Sequence, residues 1–340
     1  MTTKERFHKT LDFINPGDRL PVFEWAPWWD KTVDRWKTEG LDAAMPYEAV
    51  AGHLNLDRIE HVGCGPITDN AWSRKIQGFG QPFIRSESEY DSFLNDLYTD
   101  GQVDKAINII KSLKDGHDRG EYPIMFGLNG FFWHTRDMFG IEPQFYAFYD
   151  CPELIHRMSR NLCEFYKRVL SQAFELMTPL CVYLSEDMSY KSGPMLSKAM
   201  FDEFIKPYYL EVGEIIKQAG SKFMVDSDGN VHDMIPWMVE SGVEGMCPFE
   251  RNAGNDICKI REQYPDFLMY GGYDKLVMNK GEAAIRAEFE RILPVMRSGG
   301  YLASVDHQTP PAVSLSDYMI WMRVFREYAE LAAEQWRRPN

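Results

Sequence analysis

The sequence predicts an α/β protein, a single (β/α)8 barrel over residues 1–340 with an N-terminal helical extension. Three observations predict it. Eight short apolar runs have strand character, and most are followed by a stretch of helical period. Strands alternating with helices pair in parallel through crossover helices. No glycine-rich dinucleotide fingerprint follows the first run, and no low-complexity linker divides the chain, which disfavours an open doubly wound sheet or two domains.

Thr2-Thr3-Lys4-Glu5 reads as a capping box opening an N-terminal helix that stops near Asn15-Pro16-Gly17. Residues 20–25 read as the first strand and 57–64 as the second, with a Trp-rich helix between them and a charged helical stretch over 86–116. Residues 122–128 form the third strand, which runs into an aromatic loop, Asn129-Gly130-Phe131-Phe132-Trp133-His134. A long amphipathic helix spans 152–177 and ends at Thr178-Pro179. Strands at 180–184, 222–225, 243–247, 267–271 and 301–305 then alternate with helices at 198–219, 231–241, 255–263, 281–296 and 315–333.

Composition narrows the function classes. With 51 acids against 37 bases the net charge is -14, which disfavours nucleic acid and anionic membrane as partners. No apolar run approaches the ~20 residues of a membrane span and no signal-peptide pattern opens the chain, so a cytoplasmic setting is expected. The six cysteines are scattered without a CxxC pair, as free and mostly buried thiols would be.

In such barrels the active site lies at the C-terminal ends of the strands. Phe223-Met224-Val225-Asp226-Ser227-Asp228-Gly229 ends an apolar strand in two carboxylates on one side of an extended backbone. Two acids so placed repel each other unless something cationic or protic lies between them. Other strand ends add Glu24 and Trp25, Asn129, Glu186 and Asp187, Glu250, Asp274, and Asp306 with His307. Two chemistries stay open. Asp226, Asp228, Glu250 and His307 offer oxygen and nitrogen donors to zinc, iron or manganese. Alternatively, crowded acids raise one another's pKa and handle protons without metal. A plain structural role for the same acids is to cap helices or pair with Arg251, Lys191 or Lys275, and Asp274 reads as an N-cap. Trp25, Trp28, Trp29, Phe131, Phe132 and Trp133 lie by the loops after the first and third strands and suit a flat or apolar ligand, or else cap the core.

The chain resembles the uroporphyrinogen decarboxylase superfamily over nearly its whole length. The residues that carry the resemblance are Arg19-Leu20-Pro21-Val22-Phe23, Gly127 to Thr135, Glu186-Asp187-Met188-Ser189 with Pro194 and Phe204 to Tyr209, Gly271-Gly272-Tyr273-Asp274-Lys275, and Gly299-Gly300-Tyr301 through Asp306-His307 to Pro310-Pro311. True uroporphyrinogen decarboxylases follow the first strand with an Arg-containing run for substrate carboxylates. Here it reads Glu24-Trp25-Ala26-Pro27-Trp28-Trp29, without arginine. In the other branch, the corrinoid-dependent methyltransferases, members acting on coenzyme M place a His-x-Cys zinc site where Asp226-Ser227-Asp228-Gly229 stands and a Cys near Asp306-His307, and the branch has a Glu near the metal where Glu250 falls. The missing thiolates disfavour coenzyme M as substrate. The resemblance therefore implies methyl transfer from a small O-methylated compound, such as a methoxylated aromatic, to cobalamin on a separate corrinoid protein. Zinc held by Asp226, Asp228, Glu250 and His307 would assist. Asp187, Asp228 and His307 would act as catalytic groups, and Glu24, Trp25, Phe131 and Trp133 would bind substrate. A metal-independent decarboxylase or lyase, or a barrel that binds without turnover, is the alternative.

Overall fold

The computed structural model describes residues 1–26, 28–73 and 82–337. Pro27, inside the aromatic run after the first expected strand, lies outside them. Nine strands occur among the described residues: β1 (Glu60–Cys64), β2 (Ile124–Asn129), β3 (Cys181–Ser185), β4 (Ser189–Tyr190), β5 (Gly193–Pro194), β6 (Lys222–Asp226), β7 (Gly245–Cys247), β8 (Leu268–Tyr273) and β9 (Tyr301–Val305). Seven of them curl into one parallel sheet in the order β1-β2-β3-β6-β7-β8-β9, and β4 pairs with β5 as a small antiparallel hairpin.

The first expected strand is corrected. Residues 20–23 are buried and 24–25 part-buried where the eighth stave belongs, but they form no ladder. Side chains have taken the backbone partners. The Asp57 carboxylate accepts the Val22 N–H at 2.8 Å, and the Ser304 hydroxyl takes the Trp25 N–H at 3.4 Å. Pro21 has no N–H to give. One backbone bond, Asp57 N–H to Val22 O at 2.8 Å, ties the stave towards β1.

The N-terminal helix, Thr3–Leu11, carries the expected capping box at Thr2 and Glu5. It closes the bottom of the barrel: Phe7 and Leu11 pack among the inward residues Phe23, Met125, Met224 and Leu302, and Gly300 N–H donates to Thr10 O at 2.8 Å. The other face of the sheet packs against Pro152–Leu176, Lys206–Gln218, Glu282–Met296 and Leu315–Glu334, whose apolar stripes form the outer core. The helix expected over 198–219 is two, Lys198–Phe204 and Lys206–Gln218. Pro207 cannot supply the N–H that would continue the first into the second. All six cysteines are free thiols, four of them buried.

Candidate active site at the barrel mouth

The end of β3 is built around one carboxylate. Glu186 is fully buried, and its two oxygens accept the backbone N–H groups of Phe131, Phe132 and Trp133 at 2.9, 2.9 and 3.1 Å. Tyr209 O–H adds a fourth bond at 2.7 Å. Those amides open a helix, Phe131–Phe139, where a loop was expected. Gly130 at its N-cap has no side chain to offer, so the cap comes from 55 residues away. A Cβ on Gly130 would lie 1.9 Å from the Glu186 carboxyl carbon, so glycine is required there. Burial still lifts the Glu186 carboxyl to about 7 against these bonds.

The next residue, Asp187, has a positive φ of 41°, sparsely populated for a side chain of this kind. Its carbonyl accepts from Arg136 Nη2 at 2.5 Å, and its carboxylate accepts the Asp228 N–H at 3.2 Å. Arg136 is itself buried, its guanidinium 5.0 Å from the Trp133 ring centre and 5.2 Å from that of Phe132.

Asp187, Asp226 and Asp228 therefore form one group. Asp226 ends β6, with the Cys247 thiol 3.7 Å away, and burial followed by repulsion from Asp187 and Asp228 drives its pKa well up. Asp228 is half-exposed, and burial, then Asp187 and Glu250, lift it to about 7. Across the mouth His307 Nε2 stands 3.6 Å from Asp228 Oδ2. His307 Nδ1 accepts the Gln308 N–H at 2.8 Å, which leaves the proton of the neutral ring on Nε2, facing Asp228. Burial, then Lys275, lowers the imidazole pKa, so that neutral form prevails at pH 7.

The remaining rim residues are largely committed. Glu250 accepts the Gly229 N–H at 3.0 Å, and Lys275 Nζ lies 4.0 Å from Glu250 and 3.9 Å from Asp306. Asp306 is buried and lifted to about 6 by burial, while accepting the Arg251 N–H at 2.9 Å. The Arg251 side chain turns to Asn255 O and Asp256. Asp274 caps the turn Lys275–Val277 through the Leu276 N–H.

The expected substrate contacts divide. Trp25 stands at the mouth, its ring edge-on to His307 at 6.2 Å and to Tyr270 at 5.9 Å. Trp133 lies beneath Arg136. Phe131 is buried, stacked on Tyr208 at 5.3 Å, and Glu24 turns to the hydroxyls of Ser304 and Tyr318 at 2.9 and 3.0 Å. Burial lifts Glu24 to about 8. For the expected metal ligands, Asp228 and His307 come together, whereas Glu250 is bound to a backbone amide and Lys275. Among the described residues no group of three or more His, Cys, Asp or Glu side chains is arranged to hold a metal ion. Arg136 was not anticipated: its partner is a backbone carbonyl, and nothing local in the sequence marks that contact.

Fold and site together define a parallel α/β barrel architecture of the enzyme kind with an acidic mouth. The chain belongs to the uroporphyrinogen decarboxylase (URO-D) family, whose sequence model matches residues 79–328. Among solved structures it is similar to a methyltransferase from Methanosarcina mazei, at 18% identity and a TM-score of 0.65, covering 96% of this chain and 99% of that one. An endo-1,4-beta-mannanase from Rhizomucor miehei matches at 12% identity and a TM-score of 0.47, covering 92% and 95% of the two chains. No curated protein matches.

Proposed function

We propose that the protein moves a methyl group from a small O-methylated aromatic compound to a corrinoid held by a partner protein. Asp228 would protonate the departing oxygen. The observation that carries this reading is a carboxyl lifted to about 7, half-open to solvent, 3.6 Å from a neutral imidazole and beside an indole. Aryl oxide is a poor leaving group, and a positioned acid matched to neutral pH speeds its departure by about 10²–10⁴-fold. The corrinoid, when bound, supplies the nucleophile for the methyl carbon. His307 orients the acid, and Asp187 keeps its proton affinity high. Likeness in fold to a methyltransferase supports the reaction class.

A carboxylate substrate is disfavoured. Of the cations nearest the acids, Arg251 and Lys275 lie against acids of the protein, and Arg136 is buried with Nη2 on the Asp187 carbonyl. No step is routed through zinc: of its expected donors Asp228 and His307 face each other, while Glu250 accepts the Gly229 N–H.

The test is an anaerobic spectral assay of cob(I)alamin with 2-methoxyphenol, with carbon dioxide release from aromatic acids followed in parallel. Consumption of cob(I)alamin, lost in Asp228→Asn, is expected. Carbon dioxide release with no cobalamin reaction would replace this reading with the decarboxylase one. Elemental mass spectrometry of protein purified without chelator covers the metal: about one zinc per chain, lost in His307→Ala, would restore the metal-assisted route.

A further inference from the structure

Successive residues on a strand face opposite sides of its sheet. In β1, Val62 and Cys64 belong to the outer core, so His61 faces inward, where its ring lies 6.4 Å from that of Tyr183. On the unladdered stave, Trp25 packs with the inner residues, whereas its neighbour Glu24 reaches out to Tyr318 on the closing helix. Yet Glu24, Trp25, Glu60 and His61 all line one cavity of about 480 Å³. Residues from both faces of the wall share it, as a cavity that passes through the wall requires.

A laddered pair stands ~4.8 Å apart and leaves no such gap. On the β1 side residues 20–25 form no ladder: Val22 alone is tied, its N–H to the Asp57 carboxylate and its carbonyl to the Asp57 N–H. His61 is open to solvent, while its surroundings lower its pKa by desolvation. Outside, Tyr47, Ala51, Gly52 and Leu56 form the other end. The rim charges Arg58 and Glu60 pair at 2.6 Å, and Arg19 and Asp57 pair through two contacts at 2.5 and 2.7 Å. Exposed Glu48 adds repulsion for anions.

We infer that this opening is a side port that binds and admits a small uncharged aromatic molecule, held between Trp25 and Tyr47 with His61 as its hydrogen-bond partner. Its volume lies in the ordinary range of ~300–1,000 Å³ for small-molecule sites. The port rests on the proposed reaction only for the identity of that molecule, the methyl donor. A corrinoid protein docked over the mouth would block the axial path, and the port leads to Trp25, whose ring adjoins His307.

The experiment is calorimetric titration of 2-methoxyphenol into the wild type, Asp228→Asn and Gly52→Trp. A Cβ at Gly52 meets nothing within 4 Å, so the new indole has room to enter the port. Binding in the wild type and in Asp228→Asn, weakened at least about tenfold in Gly52→Trp, is expected. Undiminished binding in a folded Gly52→Trp protein, or no wild-type binding, would overturn the port. Should Gly52→Trp fail to fold, the His61 ring signals of the wild type are followed by NMR as the phenol is added. A shift supports the port, and unmoved signals overturn it. Binding that passes these tests without any cob(I)alamin reaction would leave the port standing and remove the methyl-transfer reading.

Discussion

Glu186 and Asp228 follow adjacent strands, β3 and β6, and burial lifts each carboxyl to about 7. Their partners differ. Glu186 accepts four hydrogen bonds and touches no solvent, whereas Asp228 faces a neutral imidazole 3.6 Å away and is raised further by Asp187 and Glu250. A raised pKa is therefore not by itself a functional mark. A carboxyl whose lone pairs are all taken holds the fold, and one left facing open space can exchange a proton.

Substitution separates the two. Asp228→Asn keeps the shape and removes the exchangeable proton, so turnover should fall about 10³-fold with the fold intact, read by cob(I)alamin kinetics beside circular dichroism. A variant with wild-type turnover would make Asp228 equivalent to Glu186. Gly130→Ala should act on the other side, driving a methyl group into the Glu186 carboxyl and costing about 3 kcal/mol by denaturant unfolding. Glu186→Gln is milder. Its amide can satisfy only some of the facing N–H groups, so about 2 kcal/mol of stability should go, while the pH profile of the remaining activity stays in place.

The comparison sharpens with pH. If the protonated Asp228 is the working form, kcat/KM should fall above about 7. Lys275 lowers the Asp228 pKa, so Lys275→Met should move that limb to higher pH, and an unmoved limb would assign it to another group. The smallest effect is on stability. The folded pKa of Asp228 exceeds the unfolded one, ~3.9, so the native state binds the extra proton between them. That contribution is whole below about 4 and is lost as pH rises through about 7. Asp228→Asn escapes the loss and should melt about 2 °C higher than the wild type at pH 8, with no gain at pH 4. The gain is small because solvent screens a half-exposed group.

Much of the site was legible because barrel topology converts strand ends into neighbours. Asp187, Asp226, Asp228 and His307 were placed together from positions spread over 120 residues and more, using only strand spacing. What stayed hidden depends on contacts with no local signal. The run Asn129 to His134 looked like a loop because Gly130 cannot cap, and the cap is a carboxylate beyond the next strand. Phe131 reads in the sequence as available to a ligand, but it is buried and stacked on Tyr208.

By itself, the sequence determined the alternation of strands and helices, the barrel, its capped N-terminal helix and the acidic mouth. These follow from hydrophobic period and element order, which are properties of neighbouring residues. Tertiary structure decided which acids are saturated and which are open. It also decided that the first stave bonds through Asp57 and Ser304 instead of a ladder. Hydrogen-bond competition and desolvation depend on groups distant in the chain, so only the folded arrangement settles them.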